Sequence, residues 1–593
     1  MSPATPRRAR RPPNEGNPMA AQSSPYTPPV AEYGFLYREV FGGDVVARAT
    51  SGALSADDAV DVLEAAGDFA AEVIAPLNAI GDAEGTVVVD GDARTAPGFK
   101  EAYAALVEAG WVAAEAPESA GGEGLPAVVQ AGLGEIWNAA NPALALCWML
   151  THGQIHALDA YAGDEVRETY LARLVEGSWT GTMNLTEPQA GTDLGAIRTT
   201  ATPNGDGSWS ITGQKIFITW GDHDVAENIV HLVLARTPDA PAGAKGLSLF
   251  VAPKFLVEPD GSLGARNAVT TVSVEHKLGI HGSPTCVLAY DGATGYLVGE
   301  VGGGLAGMFV MMNSARLGMG HQGIGLAERA YQQASAYATA RLQGPVPGRP
   351  DGTAIAEHPD VRRLLLSMSS SISAMRALAV YVGDLFDRAD DADNRQLAEF
   401  FVPILKGWAS EEAVRIASDG IQVHGGMGFI EETGAAQHYR DARIIPIYEG
   451  TTAIQSNDLV GRKTVRNQGE TARRMFDLAR AAVATLAGSD EPVARRTAER
   501  LERAVAAADR ATAAVVGFGA SPRDAHAVSV DYLWLLALVA GGWMHALIVA
   551  ATLAHDGRDA DDERRLTEAD FFGAHQLAHA HALAESVAAG EIG

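Results

Sequence analysis

The residues best suited to chemistry lie within residues 421–455, IQVHGGMGFIEETGAAQHYRDARIIPIYEGTTAIQ. Near the end of this stretch, YEGT at 448–451 places one carboxylate, Glu449, between an aromatic ring and a glycine, just before a helix predicted to begin near Thr452. Burial in an apolar setting raises the pKa of a carboxyl group toward the range that a general base needs near neutral pH. The dipole of a helix N-terminus also favours a carboxylate. From this residue alone, a base and a helix-terminal charge are equally good interpretations.

A glycine loop and two further segments could bind a flat or phosphorylated ligand. The loop GGMG at 425–428 allows a close approach of backbone, because glycine has no side chain. Residues 183–193, MNLTEPQAGTD, group hydroxyls and small residues at a strand end, and residues 213–221, GQKIFITWG, form a strand that ends in a hydroxyl flanked by aromatic rings. A planar heteroaromatic ring suits both segments. The side chains that could hold it are Phe217 or Trp220 for stacking or shielding, and Thr186 and Thr219 for hydrogen bonds.

Four regions, each with its own sequence pattern, must position these segments. Residues 33–182 carry short amphipathic helical runs, whereas residues 183–303 carry β-branched runs separated by turns, with the hairpin signal NGDG at 204–207. Residues 304–466 return to long helices, and residues 467–593 form a further Ala-rich helical region. The sequence therefore predicts an α+β protein, with a β domain between two helical domains and an extra helical domain at its C-terminal end.

Composition and charge narrow the class of protein. The formal net charge of −28 argues against a nucleic-acid partner, because phosphates would be repelled. Two distant cysteines, Cys147 and Cys286, predict neither a disulfide framework nor a zinc site, and the cytoplasm is the expected location. Residues 1–32 are rich in proline and arginine without a following apolar stretch, which predicts a disordered leader rather than a secretory signal.

One segment has the length and apolar character of a membrane span. Residues 532–555 contain no acidic or basic side chain other than histidine. Gly541, Gly542 and His545 lie at the centre of this segment, and charged helical sequence flanks it on both sides. The favoured interpretation is a buried helix of a bundle, with a membrane-contacting helix as the alternative.

Two patterns resemble functional motifs but lack the required context. GMGHQG at 318–323 matches the dinucleotide fingerprint GxGxxG, which needs a strand before it and a helix that opens at it. Here the glycines lie inside a continuous helical pattern, which predicts close helix packing instead. His321 and His424 have no partners at metal-ligand spacing, so structural roles are favoured and no metal site is predicted.

Four motifs in order resemble the acyl-CoA dehydrogenase family. They are TEPQAGTD at 186–193, KIFIT at 215–219, QVHGGMGF at 422–429 and YEGT at 448–451, and the resemblance extends over about residues 33–465. It implies an N-terminal α-helical domain, a central β domain and a C-terminal four-helix bundle. With its extra helical domain, the chain is similar to the long bacterial members of the family, a subgroup that includes 3-methylmercaptopropionyl-CoA dehydrogenase.

The resemblance implies FAD as the cofactor. Thr186 and Thr192 would contact the isoalloxazine and the phosphates, and Thr219 would reach the flavin N5 region with Phe217 beside the ring. Thr451 would touch the adenosine side of FAD. The FAD of a neighbouring subunit would be served by Arg341 at its pyrophosphate and by Gln422, Gly425 and Gly426. A homodimer or a dimer of dimers is therefore implied.

The resemblance also assigns the substrate side of the site. Glu449 would remove the α-proton of an acyl-CoA thioester, between Tyr448 and Gly450 of the substrate site. Arg316 matches an arginine of the CoA-binding helix and could serve a CoA phosphate or adenine. In a minority of the family the catalytic base lies at the position of Ala315. Alanine cannot act as a base, so Glu449 is the candidate for that role in this chain.

The implied reaction is the α,β-dehydrogenation of an acyl-CoA to the trans-2-enoyl-CoA, with hydride transfer to flavin N5. The implied substrate is 3-methylmercaptopropionyl-CoA or a short- or medium-chain acyl-CoA, and an electron-transferring flavoprotein would be the electron acceptor. The alternatives within this fold are an acyl-CoA oxidase that uses oxygen and a DNA-associated flavoprotein.

Overall fold

The computed structural model describes residues 25–590, and it confirms the predicted α+β architecture. Residues 1–24, most of the predicted leader, lie outside the described residues. The prediction was wrong for residues 25–32, which pack on the fold. Tyr26 is buried, the backbone of Thr27 exchanges two hydrogen bonds with the side chain of Gln332, and the first helix begins at Val30.

The N-terminal region is helical apart from one short hairpin. Its helices are α1 Val30–Phe35, α2 Val45–Ala49, α3 Ala56–Phe69, α4 Asn78–Glu84, α5 Phe99–Glu108, α6 Trp111–Ala114, α7 Ala127–Ala140, α8 Pro142–Tyr161 and α9 Asp164–Val175. The hairpin pairs β1 Val87–Val89 with β2 Asp92–Arg94. Asn141 separates α7 from α8 and caps α8, because its side-chain oxygen accepts a hydrogen bond from the backbone N–H of Leu144.

The central region is a seven-stranded sheet that curls into a ring. Its strands are β3 Trp179–Asn184, β4 Thr200–Pro203, β5 Trp209–Thr219, β6 Asn228–Arg236, β7 Leu247–Pro253, β10 Val269–Val274 and β11 Thr285–Val298, with a separate pair, β8 Phe255–Val257 and β9 Leu263–Arg266. The strand order is β10-β11-β5-β4-β6-β3, and β7 pairs with both β11 and β6, which closes five strands around one core. The predicted turn at 204–207 joins β4 to β5 as an antiparallel pair.

Long helices follow the sheet. They are α10 Gly304–Ala340, α11 Pro359–Asp387, α12 Ala392–His424, α13 Ala435–Ala442 and α14 Thr452–Val460. The glycines of the GxGxxG pattern at 318–323 lie within α10, as expected for helix packing. A Cβ on Gly323 would meet the backbone oxygen of Ala409 on α12 at 2.6 Å. Close packing of two helices therefore explains that glycine.

The C-terminal region adds α15 Glu470–Ala487, α16 Pro492–Gly517, α17 Pro522–Ala527, α18 Ser529–Thr552, α19 Ala560–Phe571 and α20 Ala580–Ala589. Two helices of the described chain, α11 and α18, are long and apolar enough to cross a membrane by length and composition alone. In α18, 83% of the apolar window is buried inside the fold. Gly541 lies against Trp408 and Phe572, and the His545 ring nitrogen Nε2 donates to the carbonyl of Ser370 at 2.9 Å. The packing agrees with the buried-helix interpretation.

Two hydrogen bonds join the sheet region to the helices. The indole N–H of Trp220, just after β5, donates to the carbonyl of Ala143 in α8 at 3.0 Å. In addition, the backbone N–H of Ile280, between β10 and β11, donates to the carboxylate of Asp441 in α13 at 2.5 Å. The first contact brings the end of β5 to the start of α8, and the second joins the β10–β11 segment to α13.

Candidate active site

Glu449 lies in a tight loop between α13 and α14, in a backbone conformation that is unusual for a residue with a side chain. Its φ is +53° and that of Gly450 is +90°. Such a conformation costs free energy and persists only where its surroundings enforce it, which is common at functional sites. The cap of α14 is Thr451, whose hydroxyl accepts the backbone N–H of Ile454 at 3.3 Å. Glu449 is therefore not the N-cap of α14.

Lys406 of α12 holds this loop in place. Its ammonium group donates to the backbone carbonyls of Ile445, Tyr448 and Gly450 at 2.8, 3.1 and 2.7 Å. The side chain is fully buried, and the three carbonyls satisfy its three donors. The motifs identified in the sequence do not include Lys406, so it was not predicted. A lysine inside the apolar run FFVPILKGWA was the signal that could have revealed it, because a buried lysine needs specific partners.

The charge state of Glu449 is tuned by burial and by two cations. Burial raises the pKa of its carboxyl group to about 7, although the guanidinium of Arg316 and the ammonium of Lys406 act to lower the pKa. Burial in turn lowers the pKa of Lys406 to about 8. Arg316, assigned from the resemblance to CoA, thus also acts electrostatically on Glu449. A carboxylate that ionises near neutral pH can accept a proton from carbon.

Tyr448 links the loop to α10 and α7. Its hydroxyl donates to the side-chain oxygen of Gln322, and the amide of Gln322 donates to the side-chain oxygen of Asn138 at 2.9 Å. Burial and the neighbouring Glu449 raise the pKa of Tyr448, so its hydroxyl remains protonated. The chain of hydrogen bonds fixes the aromatic ring beside the carboxylate.

The two segments predicted to bind a planar ring are joined by a buried ion pair. The ammonium of Lys215 in β5 donates to the carboxylate of Glu187 at 2.8 Å and to the carbonyl of Leu185 at 3.0 Å. The backbone N–H of Ile216 also donates to the carbonyl of Thr186 at 2.9 Å. Thr186 is thereby placed beside the strand that ends at Thr219.

Phe217 and Trp220, both considered for stacking, have different environments. Both have positive φ, +59° and +53°, and the Phe217 ring is 58% exposed. Trp220 is fully buried and bonded to α8, so it supports the sheet instead of offering a ring face. The Phe217 ring is thus exposed on a strained backbone, near the half-buried hydroxyls of Thr186 and Thr219. This arrangement fits a planar ligand such as a flavin.

A second group of predicted residues lies far from Glu449 in the same chain. Arg341 follows the last residue of α10, roughly 37 Å along that helix from Arg316 at about 1.5 Å per residue. Gly425 follows α12, roughly 28 Å along that helix from Lys406. Gln422, Gly425 and Gly426 are exposed, and among the described residues no atom beyond the chain neighbours lies within 4 Å of a Cβ built on either glycine. One chain therefore does not bring this group and the base together.

Two other residues predicted to bind FAD have different environments. Thr192 is exposed after the turn that begins at Glu187, and the Thr451 side chain caps α14.

His424, one of the two isolated histidines, has the structural role that was favoured. Its ring stacks on that of Tyr337 with centroids 4.5 Å apart, and its Nδ1 bonds to the carbonyl of Gly420 at 2.7 Å.

Comparisons with known proteins cover almost the whole described chain. Family models match residues 56–178 (acyl-CoA dehydrogenase, N-terminal domain), 182–293 (middle domain), 302–463 (C-terminal domain) and 475–592 (acetyl-CoA dehydrogenase C-terminal like). The 3-methylmercaptopropionyl-CoA dehydrogenase of Ruegeria pomeroyi is 48% identical over 89% of this chain and 92% of its own length.

Solved structures agree in fold. Caenorhabditis elegans ACDH-11 in complex with C11-CoA superposes with a TM-score of 0.77 at 20% identity, over 96% of this chain and 94% of its own. An acyl-CoA dehydrogenase from Bacillus anthracis complexed with FAD superposes with a TM-score of 0.73 at 22% identity, over 91% of this chain and 89% of its own. The chain belongs to the acyl-CoA dehydrogenase family and is an FAD-dependent oxidoreductase that acts on acyl-CoA.

Proposed function

We propose that this protein converts an acyl-CoA to the trans-2-enoyl-CoA, with Glu449 as the base that removes the α-proton. The observation that carries the proposal is a carboxyl group with a pKa of about 7, on a strained loop whose backbone is held by Lys406. No helix-capping role competes for this side chain, because Thr451 caps α14.

The chain's own groups would promote the loss of a weakly acidic proton. Ionised Glu449 would accept the α-proton, and the backbone N–H of Glu449 would donate to the thioester carbonyl, where negative charge develops. Burial raises the pKa of the base, which reduces the difference in acidity between the two groups. Bound FAD would supply the acceptor for the β-hydrogen, which leaves as hydride.

The cofactor site would be shared between subunits. Thr186, Thr192, Thr219 and Phe217 would hold the flavin end, with Thr451 on the adenosine side, while Arg341, Gln422, Gly425 and Gly426 would reach the FAD of a neighbouring chain. The long separation of the two groups along α10 and α12 supports this division, which requires at least a homodimer.

The relatives support a substrate class, and the family resemblance supports a redox partner. The 48% identity to 3-methylmercaptopropionyl-CoA dehydrogenase supports that thioester or another short- to medium-chain acyl-CoA. Arg316 would serve both CoA and the electrostatics of Glu449. We further propose an electron-transferring flavoprotein as the electron acceptor and a cytoplasmic location.

Anaerobic mixing of the purified holoenzyme with an acyl-CoA panel tests the proposal. We expect the flavin absorption band to bleach, at a rate that rises between pH 5.5 and 8 with a midpoint near 7, because only ionised Glu449 accepts a proton. Absence of bleaching with every thioester would refute the proposed dehydrogenation, and stoichiometric hydrogen peroxide in air would favour an oxidase. A rate independent of pH over this range would contradict the assignment of the base.

The Glu187–Lys215 pair should be required for a stable flavin site. Glu187→Gln leaves the buried ammonium of Lys215 without its anion, so we expect the free energy of unfolding to fall by about 3 kcal/mol and bound FAD to decrease. Thermal denaturation and the FAD-to-protein absorbance ratio measure both effects. Gln189→Ala is the matched control, because it removes a different hydrogen bond to the same carboxylate and keeps the ion pair. Equal behaviour of the two variants would contradict this role.

A further inference from the structure

A short segment between β10 and β11, residues 280–284, contacts two distant parts of the fold at once. At its start, the backbone N–H of Ile280 donates to the carboxylate of Asp441 in α13 at 2.5 Å. At its end, the carbonyl of Pro284 accepts the backbone N–H of Trp220 at 2.6 Å. We call residues 280–284 the bridging segment, because its two ends hold two different elements.

The two contacts lead to the two halves of the candidate active site. Helix α13 ends at Ala442, and the chain continues from there into the loop of Glu449. Strand β5 ends at Thr219, which is proposed to hold the flavin end, and Trp220 is the next residue. The bridging segment therefore links the loop of the base to the strand of the flavin site.

The bridging segment has a strained backbone. The φ of Ile280 is +45°, a rare value for a β-branched residue. Its side chain is buried, and its carbonyl accepts the backbone N–H of Ser283 at 3.0 Å. A strained conformation persists only where its surroundings enforce it, and such positions cluster at functional sites. The hydrogen bond to Asp441 is one of the contacts that hold Ile280 in this conformation.

The backbone just before the bridging segment also packs directly on the end of α13. A Cβ built on Gly279 would meet the backbone carbon and oxygen of Arg440 at 2.4 and 2.5 Å and the backbone nitrogen of Asp441 at 2.7 Å. The guanidinium of Arg440 in turn donates to both carboxylate oxygens of Asp82 in α4, at 2.6 and 2.5 Å. The end of α13 is thus fixed at a junction of all three regions that precede the extra C-terminal domain.

The proposed reaction requires the two halves of the site to keep a fixed relation. The α-proton leaves to Glu449 and the β-hydrogen leaves as hydride to the flavin, from adjacent carbon atoms of one substrate. Both groups must therefore be aligned with the same two carbons, and a displacement of about 1 Å can cost on the order of a hundredfold in rate. Lys406 does not supply this alignment, because its three partners all lie in the loop of the base.

We propose that Asp441 is a positioning residue for the dehydrogenation, and that its contact with Ile280 sets the position of the Glu449 loop relative to the end of β5. The inference rests on the proposed dehydrogenation and adds a residue that acts through the backbone of others. Loss of the contact leaves the base and the flavin site in place and disturbs their alignment. Removal of the α-proton then becomes uncoupled from transfer of the hydride.

Turnover of Asp441→Ala in D2O tests the coupling. The holoenzyme is supplied with pentanoyl-CoA and an artificial electron acceptor, and at partial conversion the α-deuterium content of the residual substrate is compared with the enoyl-CoA formed. In exchange, Glu449 removes an α-proton and a solvent deuteron returns to the same carbon, without net oxidation. In dehydrogenation, the hydride also leaves, and the acceptor takes up its two electrons. We expect the ratio of exchange to dehydrogenation to rise at least about tenfold.

Asp387→Ala is the matched control. The Asp387 carboxylate likewise accepts backbone N–H groups of another helix, those of Ala127 and Val128 at 2.6 and 2.9 Å, and burial raises its pKa to about 6, as it does for Asp441. We expect this variant to lose thermal stability and to keep the wild-type ratio. Asp441→Asn retains an oxygen that accepts the Ile280 N–H, so its ratio should return to within about twofold of the wild-type ratio.

Gly279→Ala is a second variant, in which Asp441 is retained. Its added Cβ displaces the bridging segment from the backbone of α13, so the ratio should rise in the same direction. The inference is overturned if the ratio is unchanged in both variants, including the case in which only thermal stability or FAD content falls. If the unaltered enzyme oxidises neither pentanoyl-CoA nor any other acyl-CoA, the proposed function fails instead.

Hydrogen exchange of the unaltered holoenzyme gives a readout that depends neither on turnover nor on a variant. We expect the amides of residues 280–284 and 443–451 to lose protection together in dilute denaturant, with the same denaturant dependence, because the contact makes them one cooperative unit. Mass spectrometry of peptides from the two segments measures this. Segments that open independently would overturn the inference.

Discussion

Glu449→Gln is expected to retain bound FAD and to slow anaerobic flavin reduction by an acyl-CoA about a thousandfold. The amide has the shape of the carboxyl group but cannot accept the α-proton. It also keeps the contacts of the loop, since Lys406 and Gln455 bond to backbone carbonyls and not to the Glu449 side chain. Stopped-flow absorbance of the flavin band under anaerobic conditions measures the rate.

Glu411→Gln provides the matched control. This carboxylate accepts the Thr452 hydroxyl at 2.6 Å at the start of α14, so the substitution changes a charge close to the base without removing the base. We expect its reduction rate to remain within a few-fold of the wild-type rate. A normal rate in Glu449→Gln would place the base on another residue.

Lys406→Met should have the second-largest effect. The change leaves three backbone carbonyls without their donor in the interior, so we expect the free energy of unfolding to fall by about 3 kcal/mol. Loss of the cation also removes an interaction that lowers the pKa of Glu449, so the pH midpoint of flavin reduction should move above 7. Denaturant unfolding and the reduction rate between pH 5.5 and 8 measure the two effects.

Lys463→Met separates this role from a general effect of losing a lysine. Lys463 also donates to a backbone carbonyl, that of Glu399, but it does not contact the loop of the base. We expect it to lose stability without moving the pH midpoint. If Lys406→Met kept its midpoint at 7, Lys406 would be a structural support alone.

The parts of the site that could be predicted from sequence are those carried by short contiguous motifs. Glu449, Phe217 and Thr219 lie in such motifs, and the alternation of helical and β-branched runs gave the α+β architecture. Lys406 was missed because its partners are backbone carbonyls some forty residues away, which no side-chain pattern encodes. Trp220 was considered as a ring partner, yet its indole N–H bonds to Ala143, a contact over 77 positions of sequence.

The predicted end of the disordered leader, at residue 32, was wrong for a similar reason. Residues 25–32 have the composition of a leader, but Thr27 bonds to Gln332 across 305 positions, and the carboxylate of Glu32 pairs with Arg564 and Arg565. The composition of a segment indicates whether that segment can form a hydrophobic core by itself. It does not indicate whether distant helices provide a surface on which the segment can pack.

The burial of α18 has a consequence for the architecture as a whole. Leu533 of α18 packs against Gly407, the residue after Lys406, so the extra C-terminal region forms the back wall of the helix that supports the base. Burial lowers the pKa of the Lys406 ammonium, and the packing of α18 on the next residue buries this part of α12. A chain of this design that ended near residue 466 would leave this face of α12 uncovered. The added domain thus covers, within one polypeptide, the back of the helix that carries Lys406.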